Sequence, residues 1–162
     1  MKQNTVHILT VMVDNEFGVI TRITAQIRRE GWSIKSLAVS ESTDDSAVSR
    51  ITLALVCYDV RLPQVVQRIA RLACVRSVTA YEPEGYVCQE MTLIHIAEYD
   101  EVALKAVLEE TGAEILSEQN GNAVCRLVGL PEDLDSFIER MRALGKTSIA
   151  RTGAITMEKQ WQ

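Results

Sequence analysis

The chain has few of the features that mark membrane proteins, nucleic-acid binders or catalysts. It carries only three prolines in 162 residues and no uninterrupted apolar stretch long enough to cross a bilayer, so a membrane partner is not expected. Its start, Met1-Lys2-Gln3-Asn4-Thr5, leads into a short strand rather than a signal-peptide core, and the expected location is the cytoplasm. No basic cluster exceeds Arg28-Arg29, and the net charge of -5 with a pI near 5.1 argues against nucleic acid, whose binders carry a basic face for the phosphates. The four cysteines, at 57, 74, 88 and 125, form no C-x-x-C pair and have no histidine cluster nearby, which disfavours zinc and disulfides. Cys57 and Cys125 fall in apolar strand-like runs, where a reduced thiol acts as a small core side chain. No dinucleotide-binding G-x-G-x-x-G, P-loop or G-x-S-x-G motif is present, and no nucleophile stands beside a base. The adjacent acids Asp44-Asp45 and Glu109-Glu110 read as solvated charge on a loop and on a helix face. Catalytic residues, a bound metal and a resident cofactor are therefore not expected in this chain.

What is present begins with Val11-Met12-Val13-Asp14-Asn15-Glu16-Phe17-Gly18-Val19-Ile20, where an apolar strand runs into a short polar turn that opens a helix. Unpaired N–H groups at a helix start can meet a carboxylate. Asp14 and Asn15 are equally ordinary capping or turn residues, and Gly18 can simply ease a bend.

The remaining pattern predicts βαββαβ over the first half. Residues 6–13 read as a central strand, with His7 at its beginning in a structural role because no second histidine, Asp or Cys is placed to make a dyad. From Phe17 to Glu30 the positions Val19, Ile20, Ile23 and Ile27 recur at helical spacing, and Gly31 suits the left-handed end. Strands follow over 33–40 and 49–58; the second puts Ile51, Leu53, Leu55 and Cys57 on one face and Arg50, Thr52, Ala54 and Val56 on the other. A helix with Pro63 in its first turn and a strand over 75–81 complete the unit before the break at Glu82-Pro83-Glu84-Gly85. The second half repeats the order: a strand over 87–97, a helix over 101–111 ended by Gly112, strands over 113–119 and 123–128 joined by Asn120-Gly121, a helix from Pro131 to a C-cap at Gly145, and one closing strand over 147–157. The expected fold class is α+β, two tandem ferredoxin-like βαββαβ domains with boundaries at 1–82 and 83–162. Bare sheet edges and faces favour dimerisation. Trp32 can cover the core edge or a partner, and Trp161 lies in a tail, disordered or interfacial.

Several ordered motifs resemble the small regulatory subunit of acetolactate synthase, also called acetohydroxyacid synthase. Asp14-Asn15-Glu16-Phe17-Gly18 matches that family's Glu-Asn-Glu-Ser-Gly-like turn, and Gly31-Trp32-Ser33-Ile34-Lys35-Ser36-Leu37 matches its Gly-Tyr-Asn-Ile-Glu-Ser-Leu. Thr43-Asp44-Asp45 leading to Ser49-Arg50-Ile51-Thr52 and the closing Ile149-Ala150-Arg151-Thr152-Gly153 also fit. The resemblance spans nearly the whole chain and is stronger over residues 6–85. It implies that the first domain, 1–82, is an effector-binding ACT domain and that 83–162 is a second ferredoxin-like domain. It further implies a non-catalytic subunit that forms a homodimer through its ACT domains. Such a subunit activates a large catalytic partner holding thiamine diphosphate, magnesium and FAD, and confers feedback inhibition by a branched-chain amino acid, typically valine.

Under that resemblance the effector-binding residues are Asn15, Gly18, Val19, Ile20, Ser33 and Ile34. The helix start at Gly18-Val19-Ile20 offers N–H donors and a favourable dipole for the effector carboxylate, and Gly18 allows approach without a Cβ clash. Asn15 can bond the amino or carboxylate group, while Ile20 and Ile34 line an apolar slot worth about 1–3 kcal/mol of selectivity per methylene. Val19, Ile20 and Ile34 are also core candidates. Ser33 stands where the family commonly has Asn; losing a direct hydrogen bond there costs roughly 1–3 kcal/mol if a buried group is left unpaired. Weaker valine binding or another effector is the expectation. Phe17, where the family often has a small residue or Pro, alters the pocket or serves as a surface hydrophobe. The alternative to a synthase subunit is a free-standing ACT-type amino-acid sensor controlling another enzyme or a transcription factor.

Overall fold

The computed structural model describes residues 4–81 and 85–159. The expected break at Glu82-Pro83-Glu84 and the tail with Trp161 lie outside these residues. The chain divides into two compact units, one running to Val87 and resumed at Ala154, the other Cys88–Gly153. Each is a sheet with helices on one face, as the α+β reading requires.

In the first unit β1 (Asn4–Asp14), α1 (Val19–Arg29), β2 (Ser33–Glu41), β3 (Val48–Tyr58), α2 (Leu62–Ala70) and β4 (Val75–Ala80) follow in order. A short turn of tighter helix, Asp59–Arg61, leads into α2 and leaves Pro63 in its opening turn, where a missing N–H costs nothing. The sheet order is β2-β3-β1-β4, the ferredoxin-like arrangement. Strand alternation sorts the residues cleanly. Leu9, Val11, Val13, Ile51, Leu53 and Leu55 are wholly buried against Ile23, Ile27, Val65 and Ile69 of the two helices. Each such side chain contributes roughly 1.5–3 kcal/mol by leaving water. Trp32 is partly buried against this core, closing its edge.

The second unit runs β5 (Tyr86–Ala97), α3 (Glu101–Thr111), β6 (Glu114–Gln119), β7 (Asn122–Gly129), α4 (Pro131–Leu144) and β8 (Lys146–Arg151), with sheet order β6-β7-β5-β8. Ile94, Ile96, Leu104, Leu134, Phe137 and Met141 form its core. The hairpin turn has φ of 51° at Asn120 and 72° at Gly121, the paired positive values that an Asn-Gly turn supplies at low cost. Arg151 reaches Glu90 with Nε and Nη2 at 2.8 and 2.9 Å and also meets Asp135, binding β5, β8 and α4 around a buried carboxylate.

Three expectations need correction. The helix expected from Phe17 begins at Val19, because Gly18 takes a left-handed φ of 78° and Phe17 stays in the turn, fully exposed. The closing strand over 147–157 is two strands, β8 and β9 (Ile155–Glu158), interrupted where Gly153 turns to φ 80°. Gly145 is the C-cap of α4, as expected, in an extended conformation, and a Cβ there would lie 2.5 Å from the Ala97 carbonyl oxygen. His7 does have an acidic neighbour, its Nε2 lying 3.2 Å from Asp59 Oδ1 but out of hydrogen-bond alignment.

Candidate functional site

The turn between β1 and α1 is fixed from both sides. The Asp14 N–H donates to Cys74 O at 2.9 Å and the Asn15 N–H to Ala47 O at 2.8 Å, so backbone bonds tie the end of β1 to the stretch before β4 and to the loop before β3. Arg76 strengthens this hold. Its Nε donates to Asp14 Oδ1 at 2.7 Å and its Nη1 to Asp45 Oδ2 at 3.3 Å, and the bond to Asp14 is the largest cause of a guanidinium pKa above its ordinary value. Asp45 also accepts the Ala47 N–H at 2.9 Å, so it is a fastening point of the loop as well as a solvated charge.

Gly18 is the N-cap of α1, with no side chain capping the helix. Asp14 and Asn15 are therefore not caps. Asn15 donates through Nδ2 to Ser46 O at 3.0 Å and to Glu41 Oε2 at 3.3 Å, which leaves Oδ1 as an acceptor suited to an ammonium group. A Cβ on Gly18 would meet no protein atom within 4 Å, so the space over the helix start is open. The Val19 N–H donates to Glu16 O at 3.3 Å, so the donors left at the positive end of the helix dipole are the amides of Ile20 and Thr21, both residues that line this space. Arg22 fastens the outer side of the turn, its Nη2 lying 3.0 Å from Glu16 Oε2 and 3.2 Å from Phe17 O.

These residues border a cleft of about 780 Å³ lined by Asn15, Glu16, Phe17, Gly18, Val19, Ile20, Thr21, Val39 and Ser49. Val19 is buried, whereas Ile20 and Val39 are about two-fifths exposed. The arrangement offers N–H donors for a carboxylate, a carbonyl acceptor for an ammonium, and aliphatic walls for a side chain. Among the described residues no group of three or more His, Cys, Asp or Glu side chains is placed to hold a metal ion. No described helix is long and apolar enough to cross a membrane.

Of the six effector residues expected from the sequence, Asn15, Gly18, Val19 and Ile20 share this cleft, and Ser33 and Ile34 do not line it. Both lie at the other end of β2: Ser33 pairs with Val56 and Ile34 with Leu55, whereas Asp14 pairs with Val48. From Val48 to Val56 along β3 is about 26 Å at ~3.3 Å per residue. Sequence reasoning missed Val39 and Ser49. Their signal lies in the register of the β2–β3 hairpin, in which Val39 pairs with Ile51 and Glu41 with Ser49 at the cleft end of the sheet.

Comparisons with known proteins agree across both units. A family model described as an AHAS small subunit-like ACT domain matches residues 9–77, and one described as the small subunit of acetolactate synthase matches residues 89–160. The acetolactate synthase small subunit of Aquifex aeolicus is 29% identical over 157 residues, covering 95% of this chain and 81% of that protein. The acetolactate synthase isozyme 3 small subunit of Escherichia coli is 27% identical over 155 residues, covering 94% of each. The crystal structure of the acetolactate synthase small subunit from Thermotoga maritima superposes with a TM-score of 0.85 at 25% identity, over 98% of this chain and 99% of that one.

Proposed function

The chain belongs to the acetolactate synthase small-subunit family, and from that premise we propose that it activates a thiamine-diphosphate-dependent catalytic subunit and lets a branched-chain amino acid, valine foremost, inhibit the complex. The observation that carries this reading is the left-handed Gly18 N-cap, whose uncapped helix start faces an open cleft walled by Val19, Ile20 and Val39. A zwitterion with an aliphatic side chain meets complementary groups there: amides for the carboxylate, Asn15 Oδ1 for the ammonium, and apolar walls for the rest. Thiamine diphosphate, magnesium and FAD would reside in the catalytic partner, in the cytoplasm.

A homodimer supplies the missing half of the site. β2 is an outer strand of its sheet, and Ile34 and Val39 on it are exposed. A twofold axis pairing β2 antiparallel with the same strand of a second copy would bring that copy's Ser33-Ile34 to the Glu41 end, beside Asn15. The distance separating the two halves within one chain then becomes the reason for the dimer. Ser33 in place of the family's Asn shortens the polar reach across that seam, which favours a weaker grip on valine or a different branched-chain effector.

Reconstitution tests the reading. The catalytic subunit from the same cell is assayed alone and with this chain, across a valine, leucine and isoleucine series. A rise in turnover that one of these amino acids reverses is expected; no interaction at micromolar concentrations would sink the proposal.

A further inference from the structure

The first unit takes back chain from the far end of the sequence. Residues from Ala154 onward belong to it, and β9 pairs with β5, whose first residues are also part of that unit. The Lys159 N–H donates to Gly85 O at 3.1 Å beside this pairing. On β9, Thr156 is buried while Ile155 and Met157 are exposed, so the strand turns one edge inward. Thr156 Oγ1 lies 2.9 Å from Thr10 Oγ1, and Arg50 Nη2 donates to the Thr156 carbonyl at 2.8 Å. Thr10 and Arg50 belong to the sheet face opposite α1 and α2, because Leu9, Val11, Ser49 and Ile51 alternate onto the helix side.

Arg50 directly follows Ser49, a wall of the cleft. Neighbours on a strand point to opposite faces, so one step along β3 links the cleft on one side of the sheet to β9 on the other. At the same level β4 carries one extra residue, Arg76, because Met12 pairs with Ser77 and Val13 with Val75 while the β1–β3 ladder runs unbroken. Met12 and Val13 are the β1 partners of Arg50 and Ser49, and between them the β1–β4 ladder shifts register. A bulge concentrates bending and twist at one point, which makes this the place where β4 can yield against the regular β1–β3 pair. Just before β9 the chain leaves the second unit, at Gly153–Ala154.

We propose that Arg50 couples occupancy of the 15–21 cleft to the second unit by gripping the Thr156 carbonyl of β9. The proposal rests on the reading of the cleft as an effector site and adds how the signal leaves it. An amino acid bound against Ser49 stiffens the regular β3–β1 pair beside the β4 bulge, the guanidinium holds β9 more firmly, and the second unit feels the change through the chain at 153–154. Arg50 is a positioning residue in this scheme and does not touch the effector.

The test separates binding from transmission. Calorimetry with valine, leucine and isoleucine is run on the wild-type chain and on Arg50→Met, with amide exchange of residues 155–159 followed in parallel. In the wild type, the amino acid that binds is expected to slow exchange in β9. Arg50→Met is expected to keep the effector Kd within about twofold, to lose the slowing, and in the reconstituted complex to bring the effector's coupling factor from within the typical ~5–150-fold range toward one. Arg50→Lys should recover part of both responses. If Arg50→Met does not fold, Arg50→Gln carries the same expectations. No binding by the wild type overturns the reading of the cleft and the coupling with it. Binding accompanied by undiminished slowing and inhibition in the folded variant overturns the coupling alone, as does loss of binding itself.

Discussion

Asn15 and Ser46 are joined by a hydrogen bond of 3.0 Å from the side-chain amide of one to the carbonyl of the other, so the residue best placed to receive an ammonium group also holds the β2–β3 loop. The two roles use different atoms of Asn15. Asn15→Ala removes both and should lower stability by about 1 kcal/mol, the usual net worth of a hydrogen bond. Effector affinity should fall further, because Oδ1 leaves the cleft. Urea denaturation beside effector calorimetry reads the two effects separately; reduced stability with unchanged affinity would confine Asn15 to bracing.

Gly18→Ala asks a different question of the same turn. The left-handed φ of 78° costs an alanine about 1–2 kcal/mol, while no protein atom stands within reach of the new methyl group. The stability loss is therefore expected to be purely conformational, and the methyl should obstruct whatever occupies the cleft. A thermal melt should show a modest drop, and calorimetry at least a roughly tenfold loss of effector affinity, equivalent to ~1.4 kcal/mol. Unchanged affinity would place the effector elsewhere.

Much of this was legible in the sequence because the governing signals are local. Alternation on β3 separated Ile51, Leu53 and Leu55 from Arg50, Thr52 and Ala54, and the two faces appear as read. Asn120-Gly121 fixed its hairpin through backbone preference alone. Pairings between residues distant in the chain were not legible. Arg76 with Asp14 and Asp45, or Arg50 with Thr156, join positions that no periodicity connects. The return of β9 to the first unit was hidden because Thr147 to Met157 keeps a strand-like composition straight through the turn at Gly153. Ser33 and Ile34 were named by motif, which carries no information about where the fold places them, and they fall at the far end of β2 from the cleft.

Whether a second copy of the chain completes the site has a direct answer in mixed oligomers. On the proposed homodimer, Gly18→Ala would damage the turn half of the site and Ser33→Ala the β2 half, so each variant alone should bind the effector poorly. If each site takes one half from each copy, a mixed dimer carries one doubly damaged site and one intact site. Equal mixing with free exchange should then restore about a quarter of the wild-type sites, because half of the dimers are mixed and each holds one good site of two. Calorimetric stoichiometry after co-refolding measures this. No recovery would mean that one chain supplies the whole site, whereas full binding by Ser33→Ala alone would mean that Ser33 plays no part; Ser33→Asn should raise affinity only if the position faces the effector.

The buried thiols predict how stability depends on pH. Burial is the largest cause pushing Cys57, Cys88 and Cys125 above their ordinary 9.0, with the nearby carboxylates Asp59, Glu90 and Glu118 adding to it. A thiol raised in the fold holds its proton where the unfolded chain has lost it, so folding stability is full below pH 9.0 and falls as pH rises through the folded values. Tyr99, pushed up to about 12 chiefly by its hydrogen bond to Glu118, adds a loss of the same sign at higher pH. Urea midpoints should therefore hold steady from neutral pH to about 8.5 and decline beyond it. Replacing the three cysteines together with alanine should flatten the decline below the tyrosine range, though at lower overall stability from the packing lost. The native thiols should also react slowly with a thiol reagent at neutral pH, since the thiolate is the reactive form. A stability curve that rises between pH 9 and 10, or prompt labelling of Cys125 in the folded chain, would contradict the burial on which the prediction stands.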